Sequence, residues 1–301
     1  MNTFDQGRRR LFQTLGAAAS LTLLPGAARV ALAADGKAKG RVVVIGGGFG
    51  GATAAKYLRK LSGGALQVTL IERNKEFISC PGSNEVLSGV RTFDSLRHSY
   101  DGLRERWGVE MVHASVVAVD TAKRRVRTDT AGEFEYDRLV LSPGFDFSYD
   151  QIAGLDETAR DTILHAWKAG PQTVALRQQL ESMPDGGVYA LTIPKAPYRC
   201  PPGPYERACQ IAFYFKQHKP KSKVLLLDAN DKVQSKEKLF TAVWAKDYQG
   251  LIEYRPGWNA VAVESASKTV TSEMGDKVQA DVLNILPPMR AGEIAHAAGV
   301  V

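Results

Sequence analysis

The sequence predicts an α/β protein built from two Rossmann-like units, and three observations carry that expectation. First, the run Arg41-Val-Val-Val-Ile45 leads straight into Gly46-x-Gly48-x-x-Gly51, an amphipathic pattern follows through Ala54, Ala55, Leu58 and Leu61, and a second apolar run, Gln67–Ile71, ends in Glu72. Second, another strand–helix–strand pattern lies downstream, at Gly187–Ile193, Tyr205–Gln217 and Lys223–Asp228. Third, a late apolar run, Ala280–Leu286, stops at Pro287-Pro288 and reads as a buried strand.

The first unit carries a complete dinucleotide fingerprint. Gly46 permits a tight turn, Gly48 lets a pyrophosphate approach the backbone, and Gly51 lets the helix pack closely on the strand. The helix N-terminus then offers N–H groups and partial positive charge to phosphates. Glu72, about twenty residues beyond the last glycine, is placed to take ribose hydroxyls, with Arg73 beside it. A Gly-rich turn in an unrelated α/β protein is the plain alternative, but it would not require both strands and the acid. The strand Tyr136–Ser142 ends in Pro143-Gly144, a tight turn that would expose backbone near the same pyrophosphate.

Bulk composition excludes several function classes. A chain of 301 residues can bury two sizeable cores, and its hydrophobic and charged fractions of 44% and 24% are those of a globular protein. The formal charge of +7 includes four arginines and one aspartate within residues 1–33, so the remainder carries 7 − 3 = +4. That mild excess is no nucleic-acid footprint. Residues 1–33 read as a twin-arginine export signal: Arg8-Arg9-Arg10-Leu11-Phe12, an apolar run from Leu15 to Leu24, and the small-x-small site Ala31-Leu32-Ala33. The expected location is therefore periplasmic, with no transmembrane segment in the mature chain. The histidines at 98, 113, 165, 218 and 296 show no ligand spacing, and no metal site is expected. Cys80, Cys200 and Cys209 make an odd count for an exported chain, and no Cys-x-x-Cys-His haem motif is present.

Between the two units, residues 92–106 read as one helix, and Val109–Val119, Arg124–Thr128 and Phe134–Tyr136 as short antiparallel strands. A linker over about 145–171 leads to a helix at Thr173–Met183. In the second unit the Gly-rich loop is replaced by Pro194-Lys-Ala-Pro-Tyr-Arg-Cys200-Pro-Pro-Gly-Pro204. Its prolines lack N–H donors where a nicotinamide dinucleotide would need them, so this unit is expected not to bind NAD(P). Polar, turn-rich sequence follows, and no internal repeat is visible. The expected division is 1–33 signal, 39–155 first domain, 156–275 second domain and 276–301 a return segment of the first.

Three segments are more specific: Ile78-Ser-Cys80-Pro-Gly-Ser-Asn84-Glu85-Val86, Tyr198-Arg-Cys200-Pro-Pro-Gly-Pro-Tyr-Glu206-Arg207-Ala208 and Asn284-Ile-Leu-Pro-Pro-Met-Arg290-Ala-Gly292. With them the chain resembles the flavoprotein subunit of flavocytochrome c sulfide dehydrogenase, within the glutathione-reductase-like flavoproteins, from about Lys39 to Val301. The resemblance implies a Rossmann-like FAD-binding domain with an NAD-domain-like insertion, FAD as cofactor, sulfide as substrate and a separate c-type cytochrome subunit as electron acceptor. It implies a thioether from Cys80 to the isoalloxazine 8α-methyl group, although Pro81-Gly82 departs from the family pattern. It also makes Cys200 one half of a redox disulfide. Hydrosulfide would attack that disulfide to leave a persulfide, and polysulfide or elemental sulfur would be the product. Arg199 and the following helix start are expected to stabilise a Cys200 thiolate. The family's partner cysteine, its Gly-Asp flavin motif and its C-terminal domain are expected beyond Val301, so the chain reads as C-terminally truncated. Cys209 reads as a core residue of the helix. A sulfide:quinone oxidoreductase, a non-catalytic accessory flavoprotein and an inactive remnant are the competing readings, separated by acceptor specificity and flavin retention.

Overall fold

Alternation in the run Val42–Ile45 sets the first sheet. β1 (Gly40–Ile45) lies parallel to β2 (Leu66–Ile71), with Gly40 opposite Leu66 and Ile45 opposite Ile71, and α1 (Phe49–Leu61) makes the crossover. Val42 and Val44 pack with Ala55 beneath the helix. Val43 and Ile45 face the other way, against Val126 and Tyr136. A strand buried on both faces must be apolar throughout, and this one is. The computed structural model describes residues 39–301; residues 1–33, read from sequence as an export signal, lie outside the described residues.

The sheet is completed by β5 (Glu110–Val112) and β9 (Arg138–Leu141), in the order β5-β2-β1-β9, all parallel. An antiparallel meander of β6 (Val116–Asp120), β7 (Arg125–Thr128) and β8 (Glu133–Glu135) covers its second face. The antiparallel reading of 109–119 therefore divides, its first half being a parallel edge strand. The single helix expected over 92–106 also divides. Phe93–Leu96 is a 3-10 turn, β4 (Arg97–Ser99) pairs antiparallel with β3 (Glu76–Ile78), and only α3 (Asp101–Trp107) is helical. Strand pairing there overrides a helical spacing whose apolar members, Leu96 and Tyr100, are buried in any case. Between β3 and β4, α2 (Ser83–Ser88) packs on two helices of the second unit.

That second unit repeats the plan. β11 (Val188–Ile193), β12 (Lys223–Asp228), β13 (Ile252–Arg255) and β17 (Val282–Ile285) form a parallel sheet in the order β13-β12-β11-β17. A meander of β14 (Ala260–Glu264), β15 (Thr269–Ser272) and β16 (Lys277–Gln279) precedes its last strand. Leu191, Leu226 and Val282 face the helices α4 (Pro171–Ser182), α5 (Gly203–His218) and α6 (Glu237–Asp247), whereas Ala190, Leu225 and Leu283 face Val263 and Val270 of the meander. The same architecture is thus used twice without a sequence repeat. Residues 229–279, read from sequence as polar and turn-rich, hold α6, β13 and the meander.

The units are joined at β10 (Phe145–Phe147), which pairs antiparallel with β18 (Met289–Ala291). The segment read as a linker therefore contains a strand. The return to the first unit comes at β18 and α7 (Glu293–Ala297), since β16 and β17 belong to the second unit.

Asp228, at the end of β12, occupies the position at which a nucleotide-binding unit offers an acid to ribose. Here it is fully buried, and its own fold consumes it. Tyr205 and Tyr254 donate to Oδ2 at 2.7 and 3.0 Å, while the Asn230 backbone N–H and side-chain amide donate to Oδ1 at 2.9 and 2.7 Å. Asp228→Ala leaves those donors without an acceptor and is expected to lower the unfolding free energy by about 2–4 kcal/mol. Urea unfolding measures it; a loss below about 0.5 kcal/mol would mean that the cage is not a structural element.

Candidate functional site

The fingerprint loop is closed on the protein side and open on the other. A Cβ on Gly51 would stand 1.8 Å from the Gly46 carbonyl oxygen, so only glycine permits the loop and helix to meet. A Cβ on Gly48 would meet nothing within 4 Å. At that open side α1 begins with no side-chain cap and no acid in its first turn, leaving its first N–H groups to an external anion. Glu72 supports the loop: Oε2 accepts from Gly47 N at 2.7 Å, and Oε1 accepts from the Asn74 backbone and side-chain amides at 2.9 and 2.8 Å. Glu72 thus stands where a ribose acid belongs while also bracing the glycines. Arg73 is exposed at the same rim. Tyr100 donates to Gly47 O at 3.1 Å, and burial beside the Glu72 charge pushes its phenol well above the usual range.

The turn after β9 lies over this loop. Ser142 N donates to Ile45 O at 2.8 Å, and Gly144 O accepts from Gly292 N at 3.1 Å. Pro143 and Gly144 are thereby fixed between the glycine loop and the returning β18–α7 segment. The three glycines, Glu72, Arg73, Pro143 and Gly144 come together on the first unit.

A second cluster lies where the units meet, and it gathers both predicted cysteines around Trp167. Cys80 Sγ accepts from Ala169 N and from Arg199 Nη1, each at 3.4 Å. The Trp167 indole N–H donates to Arg199 O at 3.1 Å. A Cβ on Gly203 would strike the tip of the Trp167 ring at 2.7 Å and Cys200 Sγ at 3.0 Å, so ring and sulfur converge on a position that must be glycine. Cys200 itself has φ +62°, a left-handed conformation that costs a non-glycine residue about 1–2 kcal/mol and concentrates at functional sites.

For Cys200 the two expected contributions are present, but burial reverses their net effect. Its solvent face is exposed, but burial of the sulfur on the protein side pushes the thiol up. The Gly203 N–H pulls it down, Glu206 raises it, and Arg199 lowers it less than those effects require. Among the described residues all three cysteines are free. Cys209 packs against the main core of the second unit, accepts from the Trp244 indole N–H at 3.3 Å, and is pushed up to about 11 by burial.

Residues that sequence reasoning missed hold this cluster together. Arg207 is 1% exposed. It donates through Nε to Asn84 Oδ1 at 2.9 Å, through Nη1 to His165 O and Asn284 Oδ1 at 2.8 Å each, and through Nη2 to Ala166 O at 2.6 Å. Its guanidinium carbon lies 4.8 Å from the Trp167 ring centroid. The available signal was its place on α5, four residues before Ile211 and eight before Phe215, on the buried face. Asp146 accepts from Lys168 Nζ at 2.6 Å and from Glu293 N at 3.0 Å. Burial pushes its carboxyl up, but Lys168, that N–H and Arg290 outweigh it and hold the group below the usual carboxylate range.

Comparison with known proteins identifies the class. The family model "Pyridine nucleotide-disulphide oxidoreductase" matches residues 40–178, the unit that carries the open glycine loop. The model "Sulfide dehydrogenase [flavocytochrome c] flavoprotein chain, central" matches residues 173–287. Over 46 residues, 15% of this chain, the sequence is 61% identical to the sulfide dehydrogenase [flavocytochrome c] flavoprotein chain of Chlorobaculum thiosulfatiphilum and covers 94% of that sequence. The chain belongs to the family of flavocytochrome c sulfide dehydrogenase flavoprotein chains. It is also 24% identical over 281 residues to the mitochondrial sulfide:quinone oxidoreductase of Mus musculus, covering 84% of this chain and 57% of the mouse protein. The crystal structure of sulfide:quinone oxidoreductase from Aquifex aeolicus superposes with a TM-score of 0.69 at 21% identity, over 86% of this chain and 61% of that one. The chain thus spans less than two thirds of these two relatives.

Family and fold make FAD the cofactor, and the residues present fit it. The open face at Gly48, the uncapped helix start and Glu72 match the pyrophosphate and ribose of a dinucleotide. Nothing equivalent is offered by the second unit, where Asp228 is caged.

His165 yields a pH prediction. Its Nδ1 accepts from Trp167 N at 2.9 Å and its ring lies 4.3 Å from that of Phe147. Burial, followed by the charges of Arg207, Lys168 and Arg160, lowers its value from 6.5 to about 3. Between those values the unfolded chain binds the extra proton, so the contribution to stability is complete above pH 6.5 and is lost as pH falls toward 3. In His165→Asn, the loss of unfolding free energy between pH 7 and pH 4.5 is expected to shrink, as measured by urea titration at both pH values. An unchanged loss would assign the acid sensitivity elsewhere.

Proposed function

We propose that this chain is the FAD-bearing part of a periplasmic sulfide-oxidising enzyme that passes electrons to a c-type cytochrome subunit. The observation that carries the reading is the gathering of Cys80, Cys200 and Arg199 around Trp167 at the junction of the two units. Similarity to the sulfide dehydrogenase [flavocytochrome c] family model and to the Chlorobaculum protein supports sulfide as substrate and flavocytochrome c as the assembly.

In this reading the first unit binds the dinucleotide through the α1 N-terminus, with Glu72 and Arg73 at the ribose end and Pro143-Gly144 over the pyrophosphate. Cys80 is the residue that would bond FAD covalently. When bound, FAD supplies an acceptor that takes two electrons together and releases them one at a time. Cys200 is the group that bonds substrate sulfur. A Cys200 thiolate and hydrosulfide together yield the persulfide anion, one proton and two electrons, so each turnover needs a base or water for the proton and an acceptor for the pair. Arg199 offers a guanidinium to the anionic substrate beside both sulfurs. The caged Asp228 and the proline-rich 194–204 loop argue against a soluble nicotinamide as the exit for electrons.

A quinone is the second acceptor to consider, because the mouse and Aquifex relatives are sulfide:quinone oxidoreductases. Among the described residues no helix is long and apolar enough to cross a membrane. Parallel assays with cytochrome c and a soluble quinone analogue separate the two. Faster sulfide-dependent reduction of the quinone would overturn the cytochrome reading.

Two substitutions test the site. Cys200→Ser is expected to retain FAD and lose sulfide-dependent acceptor reduction by at least about 100-fold; normal turnover would sink the role of Cys200. Acid precipitation is expected to leave flavin absorbance in the pellet of the unmodified protein and to release it to the supernatant from Cys80→Ser. Release from both would remove the thioether.

A further inference from the structure

Arg207 makes four hydrogen bonds, and none ends on a carboxylate. Its acceptors are two backbone carbonyls and the side-chain oxygens of Asn84 and Asn284. The neighbouring acid, Glu206, is exposed and accepts from Asn84 Nδ2 at 2.9 Å. Burying a charge without an ionic partner costs several kcal/mol. Clamping neutral oxygens does not require a charge, since a neutral amide donates as well. The charge itself therefore needs an explanation, and its location offers one. The guanidinium lies over Trp167, whose ring tip and Cys200 Sγ both approach within about 3 Å of the place a Gly203 Cβ would take, and whose carbonyl lies 3.8 Å from Cys80 Sγ.

We propose that Arg207 is a positioning residue whose unpaired buried charge supplies a fixed positive field to Cys80 and Cys200, favouring the thiolate of Cys200 and any anion bound beside it. The other charged or titratable groups facing Cys200 are Arg199, Glu206, Cys80 and Tyr198. Burial of the sulfur and Glu206 oppose the thiolate; Arg199 and the Gly203 N–H favour it. Arg199 is exposed, so salt screens it, whereas a field from a buried guanidinium survives at high ionic strength. The two cations are therefore separable.

The proposal rests on the reading of Cys200 as the sulfur-binding group, but its test uses neither sulfide nor acceptor. In the full-length chain carrying Cys80→Ser and Cys209→Ser, Cys200 is the remaining thiol, and the pH dependence of its alkylation by iodoacetamide reports its ionisation. Arg207→Met, which removes the charge, is expected to raise the midpoint by about one pH unit, and so to slow alkylation at pH 7 roughly tenfold. Arg207→Lys, which keeps the charge and loses the fork, is expected to stay within about 0.3 unit of the parent. The difference should persist in 1 M salt, where the Debye length falls to about 3 Å from about 8 Å at physiological strength. Equal shifts in both variants, or none in either, would overturn the proposal. Should Arg207→Met fail to fold by circular dichroism, Arg207→Gln replaces it. Should both neutral variants unfold, the lysine variant decides: an unmoved midpoint supports the charge, and a rise of about a unit overturns it. A shifted profile with Cys200 inert toward sulfide would instead sink the functional reading and leave the field intact.

Discussion

The guanidinium of Arg207 is where separate parts of the chain are made into one site. From α5 it reaches Asn84 on the excursion that bears Cys80, the carbonyls of His165 and Ala166 beside Trp167, and Asn284 on β17. Asn284 in turn accepts from Tyr189 OH at 3.0 Å and donates to His165 O at 3.1 Å. Every polar partner in this hub is buried or partly buried, so no member can leave without stranding another. The constraint explains why the three most specific sequence segments each contribute one residue to it: Asn84, Arg207 and Asn284. Their spacing in sequence is large, but their hydrogen-bonding capacities match only when α2, α5 and β17 are docked.

A shared plan with divided chemistry follows from what closes each sheet edge. In the first unit the β1–α1 turn is all glycine on the protein side and leaves its helix start free. In the second unit the corresponding turn carries Cys200 and a run of prolines, and Tyr205 from the next helix donates inward to Asp228. The same topology thus presents an anion site in one unit and a filled edge in the other. The second unit contributes Arg199, Cys200 and Arg207 to the junction instead.

Legibility in the sequence followed the strength of local signals. The β1–α1–β2 unit was readable because a continuous β-branched run, glycine spacing and helical period agree over one continuous stretch. The Pro143-Gly144 turn and the β11–α5–β12 pattern were readable for the same reason. The meander strands β14–β16 were missed because each is short and partly exposed, and their apolar members, Val263, Val270 and Val278, become a pattern only when paired. β4 was read as helix because its pairing with β3 is a contact between segments that composition does not link. Most instructive is Cys200. Sequence shows its neighbours Arg199 and the helix start, both of which favour a thiolate, but burial of the sulfur arises where the two units meet, beside a Gly203 that Trp167, thirty-three positions before Cys200, also approaches. Local charge was visible; desolvation was not.

The balance of charge around the junction also distinguishes two kinds of carboxylate. Asp146 is held by Lys168 and by the Glu293 N–H, so it stabilises the strand pair that joins the units. Glu206 is held by Asn84, so it neither neutralises Arg207 nor reaches the exposed Arg199. The acids are thus spent on fastening the architecture, while two guanidiniums, one exposed and one buried, remain unmatched beside the two sulfurs. An arrangement of that sign disfavours cationic ligands and favours small anions and sulfur in its ionised form. It does so through two cations with different salt sensitivity, one able to meet a ligand arriving from solvent and the other acting after water has been displaced. Burial makes the thiolate costly, and the same burial makes the opposing charge effective, because both depend on the low dielectric that the docking of α2 on α5 creates.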